Sequence, residues 1–133
     1  MKIYNRKYLA LILLFMVSFS LKAEWIFVDE SSGLGGVGAG DRVYIWKTYT
    51  TNKDGFKELK LLHDYDYPMG NEKSGSLKVL VHCDRPHRMM LGDSEGFSEK
   101  MGRGYSLGVE KGAWWMTFEK GTVYRKVSDM VCK

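Results

Sequence analysis

Reactive side chains concentrate in one short stretch of the sequence, where His82, Cys83 and His87 lie within six residues. Imidazole and thiolate are good ligands for zinc and copper, so this spacing raises the question of a metal centre. On an extended strand, however, His82 and Cys83 would point to opposite faces of the sheet. Cys132 is the one other cysteine of the sequence and offers Cys83 a disulfide partner, and a bridged sulfur cannot act as a nucleophile. We therefore predict neither a metal site nor a cysteine catalyst here.

A second group consists of His63, Asp64 and Asp66, which are residue types found in metal sites but lie here in a predicted loop. His63 stands near Asp64 and Asp66, a combination that can bind a cation, but adjacent acids in a loop are more often solvated. We find no nucleophile–base pair and no paired acids at a catalytic spacing. The sequence therefore predicts that the protein is not an enzyme and that it carries no metal and no cofactor.

The glycine-rich segment 31–40 satisfies the letters of a dinucleotide-binding motif, with Gly33, Gly35 and Gly38 at the G-x-G-x-x-G positions. A phosphate site needs a helix N-terminus behind such a loop. Here residues 42–50 follow, and their β-branched and aromatic side chains predict a strand. We interpret the segment as a flexible surface loop and reject nucleotide binding.

The start of the chain has the layout of a secretory signal peptide. A basic head within residues 1–7 precedes the apolar run 9–17, and Ala23 offers a cleavage point. The apolar run is short for a membrane span, with an uncleaved N-terminal anchor as the alternative. We predict a signal peptide over residues 1–23, a single domain over residues 24–133, and no stable membrane span after cleavage. The expected location is the periplasm, the cell surface or the medium.

Cleavage would change the charge of the chain, because it removes the cations Lys2, Arg6, Lys7 and Lys22 and no acidic residue. Of the 20 Lys+Arg of the precursor 16 would remain, against 16 Asp+Glu, so the mature chain is expected to be neutral. The precursor's pI of about 9.0 therefore gives no reason to expect nucleic acid as a partner.

Export also decides the expected state of the two cysteines. In an oxidising compartment a pair of cysteines is most often a disulfide. We predict a Cys83–Cys132 bridge, which would tie the end of the chain to the strand that contains Cys83. A closed loop of about 50 residues corresponds to about 4 kcal/mol in the chain-entropy model.

The best-defined sheet element is a β-hairpin over residues 74–92. Leu77, Val79 and Val81 alternate with their neighbours up to Cys83, which is the period of a half-buried strand. Residues 84–86, Asp-Arg-Pro, supply a turn, and the chain then resumes an extended course.

Near the C-terminus the apolar period becomes that of a helix. Thr122 is a candidate N-cap. Four apolar residues then fall on one helical face: Val123, Val127, Met130 and Val131. The sequence thus predicts the α+β class, with a small antiparallel β-sheet and a C-terminal α-helix packed on it and tied to it by one disulfide.

The remaining segments give weaker patterns. Strands are expected over residues 25–28 and 42–50, and again after a tight bend at residues 101–104. Residues 56–62 fit a strand or a helical turn, and residues 114–118 fit a strand or an approach to the helix. An exposed loop is predicted over residues 63–71 and a turn over residues 92–96.

A series of motifs along the mature chain is similar to that of a known family. The chain opens with Trp25, has Val-x-Ile-Trp at residues 43–46, and continues with Cys-Asp-Arg and His-Arg-Met-Met-Leu within residues 83–91. Met-Gly-x-Gly at residues 101–104, a late Trp114 and a terminal Val-Cys complete the series. In these features the sequence resembles the bacterial surface-adhesin protein E-like family. The resemblance implies a small antiparallel sheet with a disulfide-tied C-terminal helix, surface or periplasmic residence, and binding of host extracellular-matrix proteins.

The function predicted from these observations is that of an exported binding or adhesion module whose partner is another protein. Its contacts would come from exposed aromatic side chains on a sheet face or edge. The candidates are Tyr44, Trp46, Tyr65, Tyr67, Trp114 and Trp115. The sequence leaves open a periplasmic small-ligand carrier, an accessory protein without adhesin activity, and assembly as a homodimer.

Overall fold

The structure is a computed structural model that describes residues 24–35, 37–84 and 88–133. The predicted signal peptide, the last two residues of the predicted turn and His87 lie outside the described residues. The strands are β1 (Trp25–Glu30), β2 (Arg42–Trp46), β3 (Thr50–Thr51), β4 (Lys57–Met69), β5 (Glu72–His82), β6 (Arg88–Phe97), β7 (Ser106–Glu110) and β8 (Trp114–Thr117). A short 3-10 turn covers Lys100–Gly102, and the helix α1 covers Val123–Val131.

All these strands join one antiparallel sheet, in the order β1-β2-β4-β5-β6-β7. β3 extends the position of β2, because β2 pairs with residues 61–64 of β4 and β3 with residues 57–58. In the same way β7 pairs with residues 94–97 of β6 and β8 with residues 88–91. The last position of the sheet is therefore filled by two short strands placed end to end.

One face of the sheet, called here the helix face, is covered by α1, and the opposite one is called the outer face. Val123, Val127 and Val131 of α1 are buried and Met130 is half-buried, which confirms the predicted helical face. They pack on inward residues of four strands: Val43, Ile45, Leu59, Leu61, Val79, Val81 and Met89. Full burial of such a side chain contributes about 1.5–3 kcal/mol. No helix among the described residues has the length and apolar character of a membrane span.

Both ends of α1 are fixed as the sequence predicts. Thr122 Oγ1 accepts a hydrogen bond from the Arg125 N–H at 3.2 Å, which caps the first turn. At the other end Cys83 and Cys132 form a disulfide, with Cα atoms 5.3 Å apart and a sequence separation of 49 residues. This bridge clamps the end of the helix to the end of β5. The predicted disulfide and the predicted fold class are thereby confirmed.

The prediction of an exposed loop over residues 63–71 is wrong, because β4 continues through Met69. His63 lies on the helix face, against Tyr124 of α1. Asp64 points to the outer face, where its Oδ1 accepts a hydrogen bond from the Met101 N–H at 2.9 Å. These side chains alternate as in any strand, and their polarity concealed the period. Gly70, with a φ of 61°, makes the turn into β5.

The prediction of a turn over residues 92–96 is also wrong, since β6 runs through this segment. Val79 pairs with Leu91 but Leu77 pairs with Ser94, so one residue of β5 faces two of β6. This arrangement is a β-bulge. A Cβ on Gly92 would lie 2.9 Å from the carbonyl oxygen of Lys78, so the close approach of the two strands requires glycine.

Other segments agree with the sequence in outline. The bend at residues 101–104 is present, with φ of 60° at Met101 and 69° at Gly102, and it leads into β7. The segment predicted as one strand over residues 42–50 is shorter, because β2 ends at Trp46 and β3 begins at Thr50. The two ambiguous segments are both strands, within β4 and in β8.

The glycine-rich segment leads into β2 and not into a helix, so no helix N-terminus stands behind it. It is more than a flexible surface loop, because Val37 is buried in the core. Ser31 closes its base: the Ser31 N–H donates to the Asp41 carbonyl at 2.8 Å, and the Ser31 carbonyl accepts from the Gly40 N–H at 2.9 Å. The segment is therefore anchored to the sheet at one end and to the core near its middle.

Candidate functional site

The six aromatic candidates do not form one cluster, because the sheet distributes them over separate places. Tyr44 and Trp46 lie on the outer face, and both are half-buried. Their rings pack on β1, with ring centroids 5.0 Å apart for Trp46 and Trp25 and 5.4 Å apart for Tyr44 and Phe27. Cross-strand aromatic pairs of this kind stabilise a sheet, so these two residues chiefly attach β1 to β2.

Trp114 and Trp115 occupy β8, where they point to opposite faces of the sheet. Trp115 lies on the outer face and packs edge-on against Phe56, with ring centroids 5.3 Å apart. The Arg88 guanidinium lies 5.6 Å from the centroid of the Trp115 ring. Trp114 lies on the helix face but is not covered by α1, and it is 65% exposed.

We call Trp114, Trp115 and Met116 the β8 edge. Within the described residues β8 hydrogen-bonds to β6 alone, so its other side carries unpaired backbone groups. Such a strand is a template for a strand from another chain. Of the twelve large hydrophobic residues exposed in the described chain, six lie here and along β7: Tyr105, Leu107, Val109, Trp114, Trp115 and Met116. Exposed apolar surface is thus concentrated at this flank of the sheet.

Tyr65 lies in a groove on the helix face, beyond the area that α1 covers. The groove has a volume of about 580 Å³, and β7 forms one of its walls. Its floor contains Gly75 and Gly96, which pair across β5 and β6. The Tyr65 hydroxyl donates a hydrogen bond to Glu72 Oε2 at 2.7 Å. Burial raises the pKa of Tyr65 well above its usual value, and the hydrogen bond to the Glu72 carboxylate raises it further. The hydroxyl therefore keeps its proton and stays a donor.

His63 lines the same groove and links it to the helix. Its Nε2 lies 3.0 Å from the Tyr124 hydroxyl, and the two rings stack with centroids 5.6 Å apart. Burial lowers the pKa of His63 to about 4, although the Asp41 carboxylate acts in the opposite direction. The imidazole is therefore neutral at physiological pH. Burial also raises the pKa of Tyr124.

Tyr67, the last of the six candidates, is 80% exposed and lines a cavity of about 400 Å³. This cavity shares His63, Tyr65 and Met69 with the groove, and its far wall is the glycine-rich segment around Val37. The groove therefore extends across the end of the helix face, from β7 to that segment. The structure thus brings the predicted residues Tyr65 and Tyr67 to one site, as it brings Trp114 and Trp115 together at the β8 edge.

A separate concavity of about 490 Å³ lies on the outer face. Leu80 and Met90 contribute apolar surface to it. Charged residues of both signs also line it: Glu58, Lys60, Lys78 and Asp93. None of the six candidate residues lines this concavity.

The combinations of histidine, cysteine and acid do not converge on one point. His63 and Asp64 lie on opposite faces of β4. His82 Nε2 is 3.4 Å from Asp84 Oδ2, whereas the neighbouring Cys83 is held in the disulfide. In the part of the chain that the structure describes, no three His, Cys, Asp or Glu side chains come together as a metal site would require.

Sequence reasoning missed several residues of these places. Met116 and Leu107 belong to the exposed flank, and Glu72, Gly75 and Gly96 build the groove. The available signal was the pair of glycines, since a glycine inside a strand pattern marks a bulge or a close approach. That Gly75 and Gly96 face each other depends on the register of two strands, which no local pattern gives.

The architecture defines a class of small protein, an antiparallel sheet with one C-terminal helix clamped to it by a disulfide. The solved structure of Haemophilus influenzae protein E matches this chain with a TM-score of 0.62. The match covers 84% of this chain and 86% of that chain, at 10% sequence identity. No family model matches the sequence, and no curated protein matches it. The comparisons show that this chain shares its fold with protein E, at a distant level of similarity. This agrees with the fold that the sequence resemblance implied.

Proposed function

We propose that the mature chain is an exported module that binds another protein, and that the β8 edge is its contact surface. The observation that carries this proposal is the exposure of Trp114, Trp115 and Met116 on a strand whose outer side is unpaired in the described chain. Tryptophan is enriched in binding hot spots, and an unpaired strand accepts an added one. Side-chain anchors and backbone hydrogen bonds would thus act together.

The β8 edge is ordered before any partner arrives. Trp115 is held between Phe56 and Arg88, and the residues of β8 pair in register with residues 88–91 of β6. A side chain that is already fixed loses less conformational entropy on binding. The Trp115 side chain and the β8 backbone therefore have the rigidity expected of a recognition surface.

The class of partner is suggested by the fold and by the resemblance together. The chain shares its fold with Haemophilus influenzae protein E, and its sequence resembles a family of surface adhesins. A host extracellular-matrix protein is accordingly the first partner to test, and a protein of the producer's own envelope is the second. The expected neutrality of the mature chain favours apolar and backbone contacts over attraction between opposite charges.

The test measures binding of the exported, purified protein by biolayer interferometry. One arm uses immobilised host extracellular-matrix proteins, and the other uses solubilised envelope of the producing cell. Trp114→Ser removes the most exposed side chain of the β8 edge, and Met116→Lys adds a charge that opposes strand addition. Each variant should raise the dissociation constant by about 30-fold or more, because loss of a hot-spot residue costs about 2 kcal/mol or more.

Ile26→Lys is the matched control. Ile26 is 44% exposed on β1, the edge strand at the other side of the sheet, and Met116 is 43% exposed on β8. The control should bind as wild type does, and all variants should keep the unfolding midpoint of wild type within a few degrees. Absence of binding in both arms, or an equal loss in Ile26→Lys, would contradict the proposal.

A further inference from the structure

The groove on the helix face is acidic in its charged side chains. Glu72 lies on its floor, Glu110 is on the β7 wall, and Asp41 borders the adjoining cavity. Glu110 pairs with Ser94, and Ser94 pairs with Leu77, which lies on the helix face. Glu110 therefore lies on the helix face as well. Among the described residues, no lysine or arginine lines either cavity. Because His63 is neutral, nothing in the lining offsets these carboxylates.

The Glu72 carboxylate is held in place and presents one oxygen to the groove. Its Oε2 accepts from the Tyr65 hydroxyl at 2.7 Å, and no donor among the described residues reaches Oε1. A Cβ on Gly96 would lie 1.8 Å from Oε1, and a Cβ on Gly75 would lie 2.5 Å from the Tyr65 hydroxyl oxygen. The two glycines thus leave the space in which the Tyr65–Glu72 pair lies flat on the sheet. A carboxylate that is oriented in this way has acceptor capacity left for a ligand.

Apolar side chains also line the groove, between its polar groups. Leu77 is half-buried on the floor, Leu107 is 40% exposed, and Met69 at the junction with the second cavity is 69% exposed. Pockets that bind small molecules combine mostly apolar walls with a few placed polar groups, at volumes of about 300–1,000 Å³. The groove has a volume in this range, about 580 Å³, but its lining exposes more polar than apolar surface, so placed polar groups dominate it.

We propose that this groove binds an organic cation, an ammonium or guanidinium group on a short apolar body. The cation would lie on Glu72 Oε1, within reach of the Tyr65 ring, and the apolar body would lie against Leu77 and Leu107. Charge-assisted hydrogen bonds and the faces of aromatic rings both favour such a group. The site does not depend on the β8 edge, so it stands or falls separately from the proposed protein-binding function.

The experiment is an NMR titration of the exported, ¹⁵N-labelled protein with three probes that share one apolar body. These are phenethylammonium, its neutral analogue 2-phenylethanol and the anion 3-phenylpropionate. A fourth probe, the blocked tripeptide acetyl-Ala-Lys-Ala-amide, separates a free amine from a lysine side chain as the source of the cation. Phenethylammonium should shift the amide signals of Gly75 and Gly96 and bind about tenfold or more tighter than the alcohol, with the anion weakest.

Glu72→Gln tests the named carboxylate, because the amide keeps the shape and an acceptor but loses the charge. It should weaken phenethylammonium binding by about tenfold and leave binding of the alcohol unchanged. Glu119→Gln is the matched control, since Glu119 is exposed and lines neither cavity. Equal affinity for the cation and the alcohol, no shift at Gly75 and Gly96 at millimolar probe, or undiminished cation binding by a folded Glu72→Gln protein would overturn the proposal.

Discussion

His63 should make the stability of this fold fall in acid by an amount that the structure sets. In the folded protein burial lowers the pKa of His63 to about 4 from an ordinary value of 6.5. Between these values the unfolded chain binds a proton that the folded chain does not bind. The free energy of unfolding therefore decreases as the pH decreases, from its full value above pH 6.5 to its minimum near pH 4.

The magnitude follows from the difference between the two pKa values of His63. One pKa unit corresponds to about 1.4 kcal/mol, so the loss amounts to about 2 kcal/mol at pH 5 and about 3 kcal/mol at pH 4. A small domain has a free energy of unfolding of about 5–15 kcal/mol in total. One buried imidazole thus controls a substantial part of the stability in mild acid.

Urea unfolding of wild type, His63→Gln and Tyr124→Phe at pH 7, 6 and 5 measures this effect. His63→Gln should be less stable than wild type at pH 7, because the contact with Tyr124 is disturbed. The difference should shrink by about 2 kcal/mol at pH 5, since glutamine does not titrate. Tyr124→Phe keeps the imidazole buried and should retain the pH dependence of wild type. A difference between wild type and His63→Gln that is constant from pH 7 to 5 would refute the reasoning, as would a measured His63 pKa near 6.5.

Three further predictions concern the links that hold the helix and the 3-10 turn to the sheet. Cys83→Ser and Cys132→Ser should each lower the free energy of unfolding by roughly 2–4 kcal/mol under oxidising conditions, and the double variant should be no worse. If the variants were also less stable than wild type whose disulfide has been fully reduced, this prediction would be contradicted. Ser74→Ala should lower the free energy of unfolding, measured in urea, by about 2–3 kcal/mol. The reason is that the buried Ser74 hydroxyl makes hydrogen bonds of 2.6 and 2.8 Å to the backbone at the 3-10 turn. A loss below about 0.5 kcal/mol would show that the freed backbone groups find other partners. Thr122→Ala should cost about 1 kcal/mol and Thr122→Ser much less, and equal losses would argue against the cap.

The sequence was informative wherever apolar residues repeat with one clear period. Leu77, Val79 and Val81 give the period of β5, and Val123 and Val127 give that of α1, so the hairpin and the helix were predictable. The bridge between Cys83 and Cys132 was predictable because a chain that is expected to be exported and has two cysteines allows one simple pairing.

The sequence failed where polar residues occupy a strand and find their partners far along the chain. His63 reaches Tyr124 across 61 residues, so a segment that resembles a loop is in fact the middle of β4. The role of β8 was hidden for a related reason. Trp-Trp-Met looks like a core strand, and its position at the edge follows from its pairing with β6 alone in the described chain. Strand order and register are long-range properties, and the two candidate surfaces depend on them.

The disulfide has a consequence for the resistance of the chain to proteolysis. It closes a covalent ring that contains β6, β7, β8 and α1. The exposed stretch 103–111 lies within this ring, and Arg103 and Lys111 offer cleavage points to trypsin-like enzymes. A single cut there would open the ring without releasing a fragment, because Cys132 would still bind the C-terminal piece to Cys83. A cut at Lys53, which lies outside the ring, would leave two pieces joined only by sheet hydrogen bonds and packing.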